Sequence, residues 1–572
     1  MYYSSGNYEA FAHPKKPSGV ERKSAYLVGT GLSALSAACY LVRDGQMKGE
    51  RVHLFEQKPL PGGASDGYQY PGIGYVMRGI RALDEHSEVM WDLLHSIPSL
   101  EDEDVSVLEE CCRLNRAEAG GSFCLVTADR SQDVHNRRMA ALSEKGRREL
   151  VRLFFTPDEQ LSDRKISDVL DAEVLRSEFW FCWSAQFTFE PWHSALELKR
   201  SLKRNLHQAG MFRGICFTKY NPYESLILPM VRYLENHGVR FHYNTRVTNI
   251  EFEQNNGRKQ AKTICLLADG QEERVDLTEN DLVFIAGGGS MENTSIGSQD
   301  QPPDYNPALR SGSWTLWQRI AAQDAAFGRP ECFCASPDQT REVSATIATR
   351  DERILPYLEN VLSPNPVGRV VTVRDSGWQI CWAFRKQPLF RNQPKGQWIG
   401  WLCGRSGDRP GDYIDKPMQE CTGKEICMEW LYHLGVPENR IEDLAEHGAN
   451  TVPMMMPYAT AALMPRRKGD RPEVVPEGAV NFAFLGQFAE TPRETAGTIE
   501  YSMRTGMEAV YTLLGVDRGV PEVWGSTYDI RDLLFAAAQL RDGRPLSDLG
   551  FELPGKIANL LSYGGNNNEY RI

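Results

Sequence analysis

The chain has 572 residues, 41% of them hydrophobic, and its 64 basic and 76 acidic side chains give a net charge of −12. The length and the hydrophobic fraction indicate a globular protein with two or three lobes and a large core. The charges are spread without long runs, which argues against a nucleic-acid partner, because such a partner needs a basic face for its phosphates. We therefore expect small-molecule chemistry and no nucleic acid.

Thirteen cysteines stand at irregular spacings, with no CxxC pair or matching histidine cluster of the zinc type. They predict reduced thiols, a cytoplasmic location and no metal site. The N-terminal MYYSSGNYEAFAHPKKPSGVERK lacks the apolar core of a signal peptide, so export is not expected. The most apolar window, residues 24–42, is interrupted by two glycines and is interpreted as a strand, a turn and a helix rather than a membrane span.

The first predicted unit covers residues 24–56 and has the order strand, helix, strand. AYLVG predicts the first strand, and Leu32, Leu35, Cys39 and Val42 recur at helical spacing after it. RVHLFE predicts the second strand. The unit is therefore a βαβ motif.

Two later regions repeat this α/β character. ESLILPMVRYLENHG predicts a helix that ends at Gly238, and VRFHYN, VTNIEFE and DLVFIAGGG predict strands after it. VNFAFLGQF followed by TIEYSMRTGMEAVYTLLG predicts one further strand and helix. The three separated regions can thus build one sheet.

A glycine turn joins the first strand to the first helix in GTGLSA. Gly29 and Gly31 let the backbone approach a pyrophosphate, and the N-terminus of the helix favours its negative charge. Glu56 stands at the end of the next strand, where a carboxylate would bind ribose hydroxyls. This context favours a dinucleotide over a purely structural turn.

The residues after Glu56 favour FAD over NAD as that dinucleotide. In LPGGASDG, Gly62 and Gly63 follow the acidic strand at once, as in FAD-binding folds where a second backbone turn passes close to the flavin. The late segment LGQFAETPRETAGT, with Gly486, resembles the C-terminal flavin segment of such folds, where a helix N-terminus meets the flavin.

The segment RGIRALDEH, residues 78–86, holds both acids and bases and is a candidate for the active site. Projected as a helix, it places Ala82 and His86 on the apolar arc, with Asp84 and Glu85 on the opposite, solvated arc. His86 can titrate near neutral pH. Alternatively, His86 is a buried core histidine with satisfied hydrogen bonds and no catalytic role.

Motifs along nearly the whole chain resemble the oleate hydratase family, also called the myosin-cross-reactive antigen family. They include SAYLVGTGLSALSAACYLVRDGQMKGERVHLFE, MWDLLHSIPSLED, FEPWHSALELKR, KYNPYES, MMMPYATAALMPRRKGDRPEVVPEGAVNFAFLGQFAE and EYSMRTGMEAVY. The resemblance implies hydration of a cis double bond in a long-chain unsaturated fatty acid, usually by a homodimer. Because hydration is redox-neutral, FAD would serve structure and electrostatics.

Together these observations predict an α/β fold with a discontinuous, Rossmann-like FAD-binding domain. Its expected parts are residues 24–70, 225–298 and 476–518, with a mixed α+β substrate lobe at 71–224 and 299–475. We expect an N-terminal arm at 1–23 and a helical C-terminal region at 519–572. The expected FAD contacts are Gly29, Gly31, Ser33, Glu56, Gly62, Gly63, Arg78, Gly79, Val247, Gly287 and Gly486.

The chain departs from the family pattern at both positions to which acid-base catalysis is attributed. The glutamate of the family's RGGRE segment corresponds to Ala82, and the tyrosine after its PWHSA segment corresponds to Ser201. A water held by Arg81 and His86 is the predicted replacement. The alternatives are double-bond isomerisation, other flavin chemistry, or a non-catalytic protein that binds FAD and lipid.

Two further features have a structural and a functional interpretation each. For His193 a packing or hydrogen-bonding role in the substrate lobe is preferred over a catalytic role. Arg466, Arg467, Lys468 and Arg471 form a compact basic patch that could meet a fatty carboxylate or the surface of an anionic membrane, or could be a solvated loop.

Overall fold

The computed structural model describes residues 14–65, 67–116, 124–135, 142–205, 215–362 and 370–524. Most of the expected N-terminal arm and nearly all of the expected helical C-terminal region therefore lie outside the described residues. Within the described ranges the fold is α/β, with one parallel sheet and one large mixed sheet.

The strands, in chain order, are numbered β1 to β20. They are Ser24–Val28, Val52–Phe55, Gly67–Tyr70, Gly74–Met77, Leu83–Asp84, Cys124–Ala128, Asp133–His135, Ile215–Cys216, Arg240–His242, Thr245–Asn255, Arg258–Ala268, Gln271–Asp276, Asp281–Ala286, Ser295–Ile296, Glu342–Thr349, Val370–Val373, Ile380–Phe384, Ile399–Gly404, Ala449–Met456 and Phe482–Leu485.

The α-helices, in chain order, are numbered α1 to α15. They are Leu32–Arg43, Glu88–Leu94, Val107–Arg116, Glu144–Phe155, Ala172–Leu175, Glu178–Phe187, Ala195–Arg204, Leu228–Asn236, Ser313–Ala321, Glu331–Cys334, Pro337–Thr340, Leu355–Leu362, Gly423–His433, Glu438–His447 and Ile499–Leu514. A π-helical turn, Tyr223–Ile227, leads directly into α8.

A five-stranded parallel sheet has the order β20-β13-β1-β2-β9. Its strands come from three regions that are far apart in the sequence, so the predicted discontinuous Rossmann-like α/β fold is confirmed. The sheet and its helices bury one apolar core. A three-stranded antiparallel sheet, β10-β11-β12, stands beside it.

Small residues let α15 cross α1 at close range over this sheet. A Cβ on Gly506 would come within 2.5 Å of the Ser36 hydroxyl oxygen and 2.9 Å of the Ala37 backbone nitrogen. No larger residue fits at that crossing without a shift of the backbone. The crossing holds the N-terminal ends of both helices near the same edge of the sheet.

An eight-stranded sheet forms most of the second lobe, in the order β14-β19-β15-β18-β17-β16-β6-β7. Its pairs are antiparallel except β16 with β6. Every residue of β17 and β18 is buried. The two faces pack against two different apolar cores, which we call core 2, containing Met77, Trp183 and Trp401, and core 3, containing Ile347 and Trp430.

The helical projection of residues 78–86 was wrong, because the helix in this region begins only at Glu88. Leu83 and Asp84 pair with β8 instead. The Asp84 side chain accepts a hydrogen bond from the His86 backbone N–H at 2.7 Å, and its carbonyl accepts one from the Ser87 N–H at 3.1 Å. Such local hydrogen bonds from an aspartate compete with helix formation.

Candidate functional site

A cavity of about 210 Å³ lies at the carboxyl ends of the parallel strands. Its lining includes the last residues of four of them, Val28, Phe55, Ala286 and Leu485. In open α/β sheets this edge is where ligands bind. A second space of about 590 Å³ shares part of this lining, including Arg246 and Glu292.

The first glycine turn forms one wall of the cavity. Gly29 has a φ of +84°, which a residue with a side chain rarely adopts, and its N–H donates to the Phe55 carbonyl at 2.8 Å. A Cβ on Gly29 or on Gly31 would meet no described atom within 4 Å. Gly31 also precedes α1 without a side-chain cap. Free backbone N–H groups and open space therefore meet at the helix N-terminus, as an anionic group requires.

The carboxylate of Glu56 fixes this turn against the end of β2. It accepts from the Thr30 N–H at 3.0 Å, from the Thr30 hydroxyl at 2.6 Å and from the Lys58 N–H at 3.0 Å. The residue is 6% exposed and lines the cavity. Because a carboxylate offers about four acceptor sites, one remains for a ligand hydroxyl.

The opposite wall comes from the segment between β20 and α15. Gly486 and Gly497 both line the cavity, and a Cβ on Gly497 would meet no described atom within 4 Å. Thr498 caps α15 by accepting from the Tyr501 N–H at 3.0 Å. Two helix N-termini thus face one cavity.

Most of the predicted cofactor residues lie in the cavity wall, and four do not. A Cβ on Gly62 would lie 3.2 Å from the Tyr223 ring, and one on Gly287 would lie 3.1 Å from the Trp317 ring, so both glycines pack on aromatic side chains. The lining contains Gly29, Gly31, Ser33, Glu56, Gly63, Val247 and Gly486, together with Arg81; it does not contain Gly62, Arg78, Gly79 or Gly287.

Several lining residues were not predicted from the sequence. Glu292 accepts from the Gln57 side-chain amide at 3.0 Å and from the Ser313 N–H at 3.2 Å. Burial raises the pKa of its carboxyl. No local pattern marks Glu292, whereas Gly497 belongs to the ETAGT segment already associated with a flavin and could have been found there.

Residues 78–87 pass from the cavity to α7. Arg81 donates to the Ala64 carbonyl at 3.4 Å and lines the cavity. Arg204, at the end of α7 and 4% exposed, holds the far end of this segment. Its guanidinium lies 3.3 Å from the Asp84 carboxylate and donates to the His86 carbonyl at 2.8 Å.

The predicted orientations of Asp84 and His86 are both wrong, because the segment is not helical. Asp84 is 17% exposed and ion-paired rather than solvated. His86 is 30% exposed rather than inward, and its ring stacks on Trp524 with 3.6 Å between centroids. His86 is absent from the described lining of the cavity.

The two positions of the expected catalytic groups carry no ionisable side chain. Ala82 packs against core 2. Ser201 is 1% exposed within α7, where its carbonyl accepts from the Asn205 side chain at 3.0 Å. Any proton transfer in this lobe must therefore use another residue.

His193 is fully buried and serves as a hydrogen-bonding residue, as interpreted from the sequence. Its Nδ1 accepts from the Glu190 N–H at 2.9 Å. Burial, followed by the charge of Arg405, lowers the pKa of His193 to about 3. The imidazole is therefore neutral near pH 7.

The predicted basic patch is divided between the interior and the surface of the protein. Arg466 and Arg471 are 3% and 0% exposed and pair with the buried Glu197 at 3.0 Å and 3.2 Å. Arg467 pairs with Asp163 at 2.6 Å. Arg467 and Lys468 are exposed, so only these two of the four cations can face solvent or a membrane.

One cluster of possible metal ligands lies within the described ranges, at Asp412, Glu429 and His433. The Glu429 carboxylate already accepts three backbone N–H groups, at 2.8 to 2.9 Å, and lies 3.2 Å from His433 Nε2. The cluster therefore has a structural explanation, since the Glu429 carboxylate anchors the backbone of the loop at 412–414. No helix in the described ranges is both long and apolar enough to span a bilayer.

Known proteins similar to this chain include two hydratases and an amine oxidase. Oleate hydratase of Streptococcus pyogenes serotype M49 (strain NZ131) is 43% identical over 572 residues, covering 98% of this chain and 97% of that protein. Linoleate hydratase of Lactiplantibacillus plantarum is 25% identical over 539 residues, covering 86% and 94%. The solved cyclohexylamine oxidase of Brevibacterium oxydans IH-35A superposes with a TM-score of 0.50 at 12% identity, covering 86% and 99%, which is a likeness of fold.

The family model described as the MCRA family matches residues 22–511. That range contains the parallel sheet, its glycine turns, the whole described cavity lining and the eight-stranded sheet. The chain belongs to the MCRA family.

Proposed function

We propose that the protein is an FAD-dependent hydratase that adds water to a cis double bond of a long-chain unsaturated fatty acid. The observation that carries this proposal is the 43% identity to an oleate hydratase over nearly the full length of both chains. The product is a hydroxy fatty acid. Arg81 lines the cavity, and its neighbours Ile80 and Ala82 pack against core 2, so Arg81 would lie between the cofactor and an acyl chain bound along core 2.

The described cavity suits the parts of FAD. Gly29 and Gly31 leave room for the pyrophosphate at the N-terminus of α1, and Glu56 has an acceptor site for a ribose hydroxyl. Gly486 and Gly497 leave a second open wall before α15 for the flavin end. FAD held there by these residues and by Arg81 would supply charge and a planar surface, and hydration would involve no net redox change.

Of Arg81 and His86, the two residues predicted to hold the attacking water, only Arg81 retains this role here. His86 stacks on Trp524 outside the described cavity lining, so it is not included. The membrane contact is also left out, because two arginines of its basic patch are buried. A homodimer in the cytoplasm remains part of the proposal, and light scattering after size-exclusion chromatography measures its mass.

The test is to incubate the purified protein with oxidised or reduced FAD and with oleic or linoleic acid. A product heavier by one water supports hydration. A product of unchanged mass with a shifted double bond identifies an isomerase, which the non-ionisable Ala82 and Ser201 favour as the second candidate. Binding of FAD and lipid without a product identifies a carrier.

Adding the family's groups in the variant Ala82→Glu with Ser201→Tyr tests the assignment of those positions. We expect hydration to increase, since a positioned acid or base contributes about 10² to 10⁴ in rate. A Lys424→Gln variant, altered at a half-buried position of α13, whose buried apolar residues belong to core 3, serves as the control. Equal rates in all three proteins would contradict the assignment.

A further inference from the structure

A polar row crosses the core 2 face of the eight-stranded sheet. The Thr346 hydroxyl of β15 accepts from the Met77 N–H at 2.8 Å and lies 3.3 Å from the Met77 carbonyl. Because side chains alternate along a strand, Ser344 and Glu342 project from the same face as Thr346. The intervening Val343 and its odd-numbered neighbours belong to core 3 on the other face.

The neighbouring strands extend this row. Ser344 lies opposite Cys403 of β18, and Cys403 lies opposite Cys381 of β17. Arg405 directly follows β18, so it stands next to Glu342 on the same face. Arg405 is anchored at 2.5 Å to the carboxylate of Glu190 and therefore cannot swing away easily.

The segment after Met77 runs along this face towards Glu342. Thr346 fixes its start, and Ile80 and Ala82 pack against core 2 further on. The charge of Arg81 acts on the Glu342 carboxyl, ahead of that of Arg405. Arg81 thus joins the described cofactor cavity to the carboxyl of Glu342.

The Glu342 carboxyl is desolvated although the residue is only half-buried. The residue keeps part of its surface accessible, yet burial raises the pKa of its carboxyl to about 7 against the opposing effect of the two arginines. Beside it, the fully buried Ser344 hydroxyl has no hydrogen-bond partner in the part of the chain that the structure describes. Two polar groups with spare hydrogen-bonding capacity therefore point into one apolar region.

We propose that Glu342 is the catalytic carboxyl of the hydration, a role that rests on the proposed function. In its protonated form it donates its proton to one alkene carbon, and the π electrons form the new C–H bond. Water then attacks the other carbon through an oxygen lone pair and forms the C–O bond. The Glu342 carboxylate takes the proton that this water loses and returns to its starting state, so one water is added in total.

The groups that surround Glu342 suit both halves of this cycle. Arg81 and Arg405 stabilise the carboxylate left after proton donation, while the apolar surroundings favour its return to the neutral form. Cys381 and Cys403 on the adjacent strands are ionisable groups of this face that also interact with Glu342. A carboxyl with a pKa near the working pH is suited to both donating and accepting a proton.

The test compares Glu342→Gln with the unsubstituted holoenzyme. We expect kcat for hydration to fall by about 10² to 10⁴, while the flavin spectrum and the Kd for FAD stay unchanged. Glu342→Asp should keep part of the activity and shift the pH dependence of kcat, which should decline in the unsubstituted protein as the pH rises through about 7. Glu359→Gln, an exposed change on α12, is the matched control.

The outcomes separate the two proposals. Hydration by the unsubstituted protein and its loss in Glu342→Gln support the inference. Hydration within threefold of normal in a folded, flavin-binding Glu342→Gln protein overturns the inference and leaves the proposed function standing. If Glu342→Gln does not fold, an unchanged pH profile in Glu342→Asp overturns it instead. No hydration by the unsubstituted protein overturns both.

Discussion

Replacing Gly31 with alanine should separate flavin binding from folding. Gly31 has a φ of −70° and a ψ of 171°, which any residue adopts, and a Cβ there meets no described atom within 4 Å. In the apoprotein the change should therefore be neutral or stabilising by about 0.4–1 kcal/mol, because alanine restricts the unfolded chain. In the complex the new methyl group would occupy space that the pyrophosphate needs.

The expected loss of affinity follows from the cost of one misplaced methyl group. Overpacking a well-fitted contact costs about 1–3 kcal/mol, and about 1.4 kcal/mol corresponds to a tenfold change in Kd, so the Kd for FAD should rise roughly 5- to 140-fold. Quenching of flavin fluorescence gives the Kd. Thermal unfolding of the apoprotein, followed by circular dichroism, gives the stability.

Gly257→Ala is the matched control and should give the opposite result. Gly257 lies in the turn between β10 and β11 with a φ of +78°, and it has open space for a Cβ. Alanine in this left-handed conformation should lower stability by about 1–2 kcal/mol and leave the Kd for FAD unchanged. If Gly31→Ala binds FAD within twofold of the unsubstituted protein, the nucleotide does not approach this turn.

Three further changes test the site and its supports. Glu56→Gln should lower stability by about 1–3 kcal/mol in thermal unfolding and weaken FAD binding, because a buried carboxylate that accepts three hydrogen bonds is lost. Arg204→Met should cost about 3–5 kcal/mol, measured by urea unfolding, because it removes a buried arginine that pairs with Asp84 and with the 1% exposed Glu494. For Glu508, burial raises the carboxyl pKa to about 7, so the folded state binds its proton more tightly than the unfolded state. The free energy of unfolding should therefore fall as the pH rises from about 4.5 to about 7. In Glu508→Gln this part of the fall should be absent when unfolding is measured across the same pH range.

Each of these results has a contrary outcome. Unchanged flavin affinity in Glu56→Gln would place the ribose elsewhere. A loss below about 1 kcal/mol in Arg204→Met would mean that its ion pairs are solvated, as exposed pairs are. An identical pH dependence in Glu508→Gln and in the exposed variant Glu477→Gln would exclude Glu508 as the titrating group.

The parallel sheet could be predicted because its signals are local. Gly29, Gly31 and Glu56 stand at fixed distances around one turn, and the helix after them shows its apolar side at helical spacing. The same kind of projection failed at residues 82–87, because the hydrogen bonds of Asp84 and its ion pair with Arg204 decide that conformation. Arg204 lies on α7, more than a hundred residues away in sequence, and the periodicity of a local segment carries no information about such a partner.

The eight-stranded sheet and Glu342 could not be predicted for a related reason. Strands such as β17 and β18 are buried on both faces, so they lack the alternation of polar and apolar residues that identifies a half-exposed strand. Glu342 has no distinctive neighbours in sequence. Its chemical surroundings, Arg81 and Arg405, come from other parts of the chain.

The parallel sheet also bears on how the protein is made. Its last strand, β20, follows most of the second lobe in the order of synthesis. Until the ribosome delivers it, β13 presents an open and apolar edge on which another nascent chain could add a strand. We expect the growing polypeptide to need chaperone protection over this interval, and a chain that stops before residue 482 to aggregate.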